Sequence, residues 1–318
     1  MKQYQDLELL VLTSDRSSYK PNRTEVDTIA LMGAQMIFKL SDGFPVLTTK
    51  KLHLKSIIYE LMWLLSGDTN IRFLRENGVG IWNEWADENG DLGPIYGKQW
   101  RAWPDYDGGS IDQVRKIVQT AKKDPNSRRM IVNAWNVAQI DKMALAPCHA
   151  FFQIGIYNRN GIDELDLSLY QRSGDIFIGV PFNIVSYALL THVIANELEL
   201  KPGYFIHNFG DLHAYCGSGK TGKFYAENLD TVKKMIRDVN KREDYVRIRD
   251  ELLDMQKVYD ANGAGDHVPH ILLQLSREPK PLPKLILDKR AGIDNLLFEY
   301  VKIEGYDAHP HIKGDVAV

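Results

Sequence analysis

Residues 143–152, with the sequence Met-Ala-Leu-Ala-Pro-Cys-His-Ala-Phe-Phe, place a cysteine at the start of an apolar run that is typical of a β-strand. That residue is Cys148, which stands between Pro147 and His149 where a loop would pass into the strand. Reactive groups are often held at such points, because the scaffold is rigid and the loop remains accessible. For an isolated thiol, a buried cysteine that only fills space is the commoner alternative.

The chain has 318 residues, of which 44% are hydrophobic and 25% are charged, as is typical of a globular protein. No segment resembles a linker, so we expect one large domain or one domain with an insertion. The formal net charge of -3 argues against a nucleic-acid-binding surface. Residues 1–12 have helical spacing and mixed charge, which predicts a surface helix rather than a signal peptide. No apolar run reaches membrane-spanning length.

The chain contains two cysteines, Cys148 and Cys216, which are far apart in the sequence. Two distant cysteines in a chain of this length do not suggest a disulfide framework. Such usage suits a reducing compartment, and we therefore expect a cytoplasmic protein.

Hydrophobic periodicity predicts the main helices and strands. Helices are expected at residues 54–65, 111–122 and 184–198, and strands at residues 130–135, 148–157, 165–170 and 201–215. In addition, residues 28–40 predict two strands that turn at Gly33.

The segment from residue 216 to about residue 268 is charged and has helical apolar spacing, which predicts an inserted helical hairpin at the periphery. Residues 217–221, Gly-Ser-Gly-Lys-Thr, partly match a phosphate-binding loop. The first glycine of that motif would fall at Ala214, and no long helix is expected to follow immediately, so we reject this interpretation.

A single carboxylate, Glu60, lies in the otherwise apolar helix predicted for residues 54–65. Burying a carboxylate without a compensating partner costs roughly several kcal/mol. This group must therefore either be paired or face a functional cavity. Both alternatives remain open from the sequence.

Residues 81–103 contain four tryptophans among acidic residues and glycines, which predicts a loop outside the core. The four are Trp82, Trp85, Trp100 and Trp103. Indole rings on a loop suit stacking against a flat ring system, and a rim of packed indoles is the alternative.

Basic residues occur at two polar places. Arg23 lies in the polar loop of residues 14–24, and Arg128 and Arg129 begin the strand predicted for residues 130–135. Neighbouring residues of a strand point to opposite faces. Solvated surface charge is one interpretation of these arginines, and contact with a phosphate or a partner subunit is the other.

Polar residues also converge at residues 171–175, Gln-Arg-Ser-Gly-Asp, between a strand and the helix of residues 184–198. This composition is typical of a ligand-binding loop. Asn183 either contacts a ligand or caps the helix. His213 and Tyr215 alternate along a strand and therefore share one of its faces.

Three motifs together resemble the folate-dependent, cysteine-using thymidylate synthase family. They are residues 146–149 (Ala-Pro-Cys-His), 170–175 (Tyr-Gln-Arg-Ser-Gly-Asp) and 181–184 (Pro-Phe-Asn-Ile). The resemblance runs from about residue 42 to residue 215 and resumes from about residue 275 to residue 318. It implies a homodimer of single large α/β (α+β) domains, each with a mixed, mostly antiparallel sheet covered by helices, here with the hairpin at about 216–268 inserted.

The resemblance implies that the protein converts dUMP and methylenetetrahydrofolate to dTMP and dihydrofolate. Carbon 5 of the pyrimidine is a weak nucleophile, so a thiolate must first add at C6, and Cys148 is the candidate. Glu60 would organise water and move protons, and Tyr96 would assist proton removal at C5. The amide of Asn183 fits O4 and N3 of uracil.

The resemblance assigns further residues to each ligand. The phosphate would be held by Arg23, Arg172 and Ser173, with Arg128 and Arg129 from the other subunit, and the 3′ hydroxyl by His213 and Tyr215. The folate would contact Asp175, Ile81, Trp82, Trp85, Leu145, Lys50, His53 and the C-terminal carboxylate of Val318. No metal, membrane or nucleic acid is expected.

The sequence departs from the family pattern at two places. Residues 24–28, Thr-Glu-Val-Asp-Thr, replace two usual glycines and add Glu25 and Asp27 beside the presumed phosphate site. The other departure is the insertion of roughly 50 residues after Tyr215, where relatives run directly into the next strand, and the Asn-His pair that usually follows soon after Tyr215 is absent.

Two alternatives to a thymidylate synthase remain. One is a dUMP or dCMP hydroxymethylase of the same superfamily, in which water completes the reaction. Asn183 favours uracil, because cytosine-specific relatives carry aspartate at this position. The other is a non-catalytic nucleotide- or RNA-binding relative, and the retention of Cys148, Glu60 and Asn183 together argues against it.

Overall fold

The computed structural model describes residues 1–22 and 25–314. The helices are α1 (Lys2–Thr13), α2 (Leu54–Ser66), α3 (Arg72–Glu76), α4 (Tyr96–Arg101), α5 (Gln113–Lys123), α6 (Gly179–Glu197), α7 (Gly219–Arg237), α8 (Asp244–Val258) and α9 (Val268–Leu275). The strands are β1 (Ser18–Lys20), β2 (Thr28–Lys39), β3 (Trp103–Pro104), β4 (Ser110–Ile111), β5 (Ile131–Asn133), β6 (His149–Arg159), β7 (Ile162–Asp175), β8 (Lys201–Tyr215), β9 (Lys284–Leu287) and β10 (Val301–Glu304).

Six strands form the main sheet in the order β1-β2-β8-β7-β6-β5. Strands β7 and β8 run parallel, and the other neighbouring pairs are antiparallel. The prediction of a mixed, mostly antiparallel sheet covered by helices is therefore confirmed. Side chains alternate between the two faces of a strand, so one face of the sheet packs on helices while the other remains partly exposed.

Helix α6 connects the two parallel strands and packs against both of them. It is apolar nearly all round, and such a helix is stable only inside a core. A parallel pair requires a connection of this kind, because a tight turn cannot join two strands that run in the same direction. The carboxyl end of β7, the first turn of α6 and the end of β8 consequently meet at one edge of the sheet.

The expected strand pair in residues 28–40 is a single strand, so the predicted turn at Gly33 is wrong. Strand β2 pairs with β8 along its whole length, from Thr28 opposite Tyr215 to Lys39 opposite Tyr204. Gly33 has a φ of 80°, a left-handed conformation that glycine adopts without strain. The strand continues beyond it because β8 supplies hydrogen-bonding partners on both sides.

The expectation that residues 81–103 form a loop outside the core is wrong for part of the segment. Helix α4 lies within it, and Trp100 on this helix is 1% exposed. Its ring makes edge contacts with Phe152 and Tyr187. The large apolar area of an indole ring favours burial more strongly than the polar composition of the segment opposes it.

The inserted segment is helical, as predicted, but it is not peripheral. Phe224 and Tyr225 of α7 are fully buried within the main hydrophobic core. The Nζ atom of Lys233 donates a hydrogen bond of 2.6 Å to the carbonyl of Ser17, and α7 packs against α1 and β1. Shortening the hairpin would therefore expose core surface, so the prediction of a peripheral position is wrong.

The insertion leaves and rejoins the sheet at one point. Cys216 and Asp266 form an isolated antiparallel bridge, and the amide of His267 donates to the carbonyl of Tyr215 at 3.0 Å. Contrary to expectation, a long helix does follow residues 217–221 at once, since α7 begins at Gly219. The space beside Gly217 is nevertheless filled by Thr221 and by the carbonyl of Ala264, so these residues do not form an open phosphate cradle.

None of the helices within residues 1–22 and 25–314 is both long enough and apolar enough to cross a membrane.

Candidate active site

A cavity of about 770 Å³ opens at the edge of the sheet where β7, α6 and β8 meet. Thirteen of the residues singled out in the sequence line it: Glu60, Ile81, Trp82, Trp85, Tyr96, Leu145, Cys148, Arg172, Ser173, Asp175, Asn183, His213 and Tyr215. These residues come from distant parts of the chain, so only the tertiary fold brings them together.

The loop that carries Cys148 is held by hydrogen bonds on both sides. The guanidinium of Arg172 donates to the carbonyls of Pro147 and Ala146, each at 2.8 Å. The amide of Arg172 donates to the carbonyl of Cys148 at 2.8 Å. On the other side, the amide of Cys148 donates to the hydroxyl oxygen of Tyr96 at 2.6 Å. The backbone that carries the half-buried thiol is therefore fixed in position, as is required for a nucleophile.

His149 stacks on Tyr96 with ring centroids 4.2 Å apart, and its Nδ1 lies 2.8 Å from the hydroxyl of Tyr187. Burial lowers the pKa of His149 to about 3, so the imidazole is neutral. Burial also raises the pKa of Tyr96 well above its usual range, which keeps its hydroxyl protonated at neutral pH. The sequence interpretation did not assign His149 a role, although its position next to Cys148 is a usable signal.

Glu60 projects from α2 into the cavity, and the indole Nε1 of Trp82 donates to its Oε1 at 2.8 Å. Burial raises the pKa of Glu60 to about 7, and the hydrogen bond from Trp82 opposes this rise only in part. A carboxyl group with a pKa near 7 can both donate and accept a proton at neutral pH. The sequence left two alternatives for Glu60, a paired carboxylate or one that faces a functional cavity, and the structure supports the functional cavity.

Asn183 is the third residue of a chain of hydrogen bonds. His207 Nε2 lies 2.8 Å from Oε1 of Gln171, and Nε2 of Gln171 donates to Oδ1 of Asn183 at 3.0 Å. Nε2 of Gln171 also donates to the carbonyl of Ser173 at 2.9 Å. A backbone carbonyl can only accept, so it fixes which end of the Gln171 amide carries the hydrogens.

That orientation propagates to the cavity wall. Because the amino group of Gln171 faces Asn183, the oxygen of the Asn183 amide points towards Gln171 and its Nδ2 amino group is left for a ligand. Asn183 lies inside α6, which begins at Gly179, so the interpretation of Asn183 as a helix cap is wrong. The sequence interpretation also missed Gln171 and His207, whose contribution depends on contacts between separate strands.

His207 is fully buried, and its Nδ1 has no hydrogen-bond partner within the described part of the chain. Burial, and secondly the neighbouring His149, hold the pKa of His207 well below its usual range. A neutral ring carries one proton. An unpaired buried acceptor costs less free energy than an unpaired buried donor, so Nδ1, which has no partner, is the nitrogen without the proton. The proton is therefore on Nε2, which donates to Oε1 of Gln171.

One end of the cavity is charged. Lys20 Nζ lies 2.5 Å from the Asp211 carboxylate, whose other oxygen is 3.0 Å from Nδ1 of His213. The hydrogen bond from His213 is the main cause that lowers the pKa of Asp211 to about 2, and Lys20 adds to it. Lys20 and Asp211 line the cavity, and the sequence interpretation had not singled them out.

Asp175 ends β7 at the cavity, and its Oδ1 accepts a hydrogen bond of 2.9 Å from the amide of Phe177. Nδ1 of His267 is 3.9 Å from the same carboxylate, and the His267 ring makes an edge contact with Tyr215. A histidine therefore lies beside Tyr215 in space, although the sequence has none soon after it. The sequence concealed it because 51 residues, Cys216 to Asp266, separate the two positions.

Four of the expected residues do not line this cavity. Lys50 is 3% exposed and donates to the carbonyl of Phe177, so its ammonium faces the interior rather than a folate tail. His53 is exposed and bonds to Ser56. Arg128 and Arg129 are exposed on the outside of the sheet. The expected contacts from Arg23 and Val318 fall outside the described residues. No cluster of metal-ligating side chains occurs within the ranges that the structure describes.

The fold and the cavity together define an enzyme-like site whose candidate nucleophile is a cysteine. The family model described as thymidylate synthase matches residues 2–318, and the chain belongs to the thymidylate synthase family. This is a family of methyltransferase-type enzymes that use methylenetetrahydrofolate.

The raised pKa of Glu60 predicts how stability depends on pH. Between pH 4.5 and pH 7 the carboxyl group ionises in the unfolded chain but remains protonated in the folded one, so the wild type loses stability as pH rises. We expect Glu60→Gln to be the more stable at pH 8 by about 2 to 3 kcal/mol, with little difference below pH 4.5. Urea unfolding across this range measures the difference. The exposed Glu84 of the same cavity is the matched control, and a pH-independent difference for Glu60→Gln would contradict the assignment.

Proposed function

We propose that the protein is a thymidylate synthase that methylates dUMP to dTMP. The observation that carries the proposal is the convergence of Cys148, Glu60 and Asn183 on one cavity, with the Asn183 amide oriented by Gln171. A thiol, a carboxyl group with a pKa near 7 and an oriented amide are the three groups that activation of a uracil ring requires.

The orientation of Asn183 supports uracil as the base. Its Nδ2 amino group would donate to the O4 carbonyl of uracil, and the remaining lone pair of Oδ1 would accept from N3–H. Cytosine has an amino group in place of O4 and no hydrogen on N3, so its amino group would face the Asn183 amino group. An unpaired donor in a half-buried site costs roughly 1 to 3 kcal/mol, which disfavours cytosine.

The chemistry follows from these positions. The Cys148 sulfur adds to C6 of the pyrimidine, and the negative charge that develops at O4 is stabilised by the amide hydrogens of Asn183. Carbon 5 then attacks the one-carbon unit. Glu60 donates and accepts protons through water, and Tyr96 assists removal of the C5 proton. After the C5 proton is removed, the folate nitrogen would leave the one-carbon unit, and a hydride from the reduced folate would convert the resulting methylene group to methyl. Loss of Cys148 from C6 then restores the C5–C6 double bond and the free thiol.

The cavity wall suits a reduced folate beside the nucleotide. Ile81, Trp82, Trp85 and Leu145 provide an apolar surface for a flat ring, and the partly exposed carboxylate of Asp175 can accept hydrogen bonds from pterin N–H groups. Methylenetetrahydrofolate, when bound, supplies the one-carbon unit and the hydride. Packed indoles at the wall exclude water from the reacting carbon.

The nucleotide phosphate would bind at the charged side of the cavity, near Arg172, Ser173 and Lys20. Planar guanidinium groups suit a phosphate dianion. His213 and Tyr215 lie on the same wall and would contact the sugar hydroxyl. Arg23 remains a proposed phosphate ligand on the family resemblance alone.

We also propose that the protein is a homodimer joined through the exposed face of the main sheet. Ile37, Ile131, Phe151, Tyr157 and Tyr170 lie on this face and are 36% to 53% exposed. Contiguous exposed apolar surface of this kind marks an interaction site. The carbonyl of Arg128 accepts a hydrogen bond of 3.2 Å from Gln153 of β6, so Arg128 and Arg129 lie beside this face, from which they would reach the partner's cavity.

Sedimentation equilibrium tests the homodimer. Phe151→Asp places a charge in the proposed interface, and we expect it to shift the protein towards monomer. Val258→Asp on α8 changes an 85% exposed apolar residue away from the sheet and should leave the assembly unchanged. A wild-type monomer at micromolar concentration would exclude the homodimer and the role of Arg128 and Arg129.

Product analysis tests the activity. The enzyme incubated with dUMP and methylenetetrahydrofolate should form dTMP and dihydrofolate, identified by mass and by absorbance. Cys148→Ser should lower turnover by at least about a thousandfold while dUMP binding persists, because only the nucleophile is lost. The buried Cys216→Ser is the control and should remain active. Hydroxymethyl-dUMP with released tetrahydrofolate would instead identify a hydroxymethylase, and binding without any product a non-catalytic relative.

The chain of hydrogen bonds to Asn183 is tested through base selectivity. His207→Leu removes one of the two contacts that orient the Gln171 amide and leaves only the one to the carbonyl of Ser173, so the orientation of the Asn183 amide is held less firmly. We expect the ratio of the dissociation constants for dCMP and dUMP to fall by roughly tenfold. His207→Gln retains a donor near the same place and should restore most of the preference. Calorimetry of both nucleotides with each variant measures the ratio, and an unchanged ratio in His207→Leu would refute this role.

A further inference from the structure

The departure at residues 24–28 from the family pattern has a structural partner in the insertion. The amide of Asp27 donates to the carbonyl of Gly217 at 2.9 Å, and the amide of Cys216 donates to the carbonyl of Asp27 at 2.8 Å. The backbone of Asp27 is thus paired to the residues that begin the insertion. This pairing involves the same stretch in which acidic residues replace the expected glycines.

The carboxylate of Asp27 is also held. The hydroxyl of Tyr19 donates to its Oδ2 at 2.6 Å. A Cβ atom at Gly222 would lie only 2.2 Å from the same oxygen, so the carboxylate packs directly on the first turn of α7. The positive end of the helix dipole favours a negative charge at that place. The charge of Asp27 therefore faces the insertion, not the cavity.

Further contacts join the same two parts of the chain. A Cβ atom at Gly265 would lie 2.8 Å from Cγ1 of Val26, so Val26 packs closely on the end of the insertion. Lys233 of α7 is buried, and its ammonium donates to the carbonyl of Ser17 just before β1. The insertion thus contacts both the beginning of residues 17–22 and the end of residues 25–28.

Residues 17–22 and 25–28 include part of the cavity wall. Lys20, Asn22 and Thr28 line the cavity, and Lys20 is paired with Asp211 on β8. Movement of this segment would displace Lys20 from the charged end of the cavity. Contacts that fix this segment therefore determine the position of Lys20 in the cavity, although the contacts themselves lie outside the cavity.

We propose that the insertion of residues 216–266 is a brace for the phosphate side of the cavity and that Asp27 is its positioning residue. The proposal rests on the proposed binding of dUMP in the cavity. Ordering the wall before the ligand arrives removes a conformational cost from binding, so the brace lowers the dissociation constant without taking part in the chemical step. This role of Asp27 also explains physically why an acidic residue replaces the glycine that is usual at this position.

The variant Gly222→Ala tests the brace. Its methyl group must displace the Asp27 carboxylate, while alanine is otherwise favourable in a helix. We expect the dissociation constant for dUMP to rise roughly threefold to tenfold, as for the loss of one charged hydrogen bond, with kcat changed less than about twofold. Hydrogen exchange of the amides in residues 17–22 and 25–28 should become faster. Lys223→Ala, on the exposed side of the same helical turn, is the control and should change none of these.

A second variant assigns the effect to Asp27. In an Asp27→Ala background the clash is absent, so Gly222→Ala should have little further effect on either dUMP binding or hydrogen exchange. Independent, additive effects of the two substitutions would overturn the proposal, as would an unchanged exchange rate and dissociation constant in Gly222→Ala alone. If the wild type does not bind dUMP, the proposed function fails, while hydrogen exchange still decides whether the insertion orders residues 17–22 and 25–28.

Discussion

The parallel pairing of β7 and β8 is the constraint on which the site depends. Two parallel strands need a long crossover, and here the crossover is α6, which is buried because it covers both strands. The pairing sets Ser173 opposite Asp211 and Asp175 opposite His213. Groups from two strands and from the first turns of the helix therefore share one edge of the sheet, although the two strands lie about 40 residues apart in the sequence.

Low polarity around this edge determines the protonation states. Loss of water raises the pKa of Glu60 to about 7 and lowers that of His149 to about 3. The same burial keeps His207 neutral and thereby makes it a single donor to Gln171. The partly solvated end behaves differently, since Asp211 stays ionised beside Lys20 and His213. One cavity thus combines a proton-exchanging carboxyl group with a permanently charged end.

The segment from Cys216 to Asp266 leaves and rejoins the sheet at one point. Its two ends meet in the bridge between Cys216 and Asp266, so β8 and the following α9 keep their places. Its helices are amphipathic and cover the core beside α1, which makes them part of the domain. The close packing of Asp27 on Gly222 then connects this added layer to the cavity wall.

The sequence by itself determined the apolar helices, because hydrophobic periodicity is a local signal. The motifs around Cys148, Arg172 and Asn183 are local signals too, and the family resemblance that they carry implied the fold class and half of the 26 residues that line the cavity. It failed where the outcome depends on distant partners. Gly33 continues a strand because β8 pairs on both sides of it, and Trp100 is buried because Phe152 and Tyr187 surround it. The inward direction of Lys50, the return of His267 beside Tyr215 and the amide orientation of Asn183 are likewise decided only by the tertiary structure, since each is a contact between residues far apart in the chain.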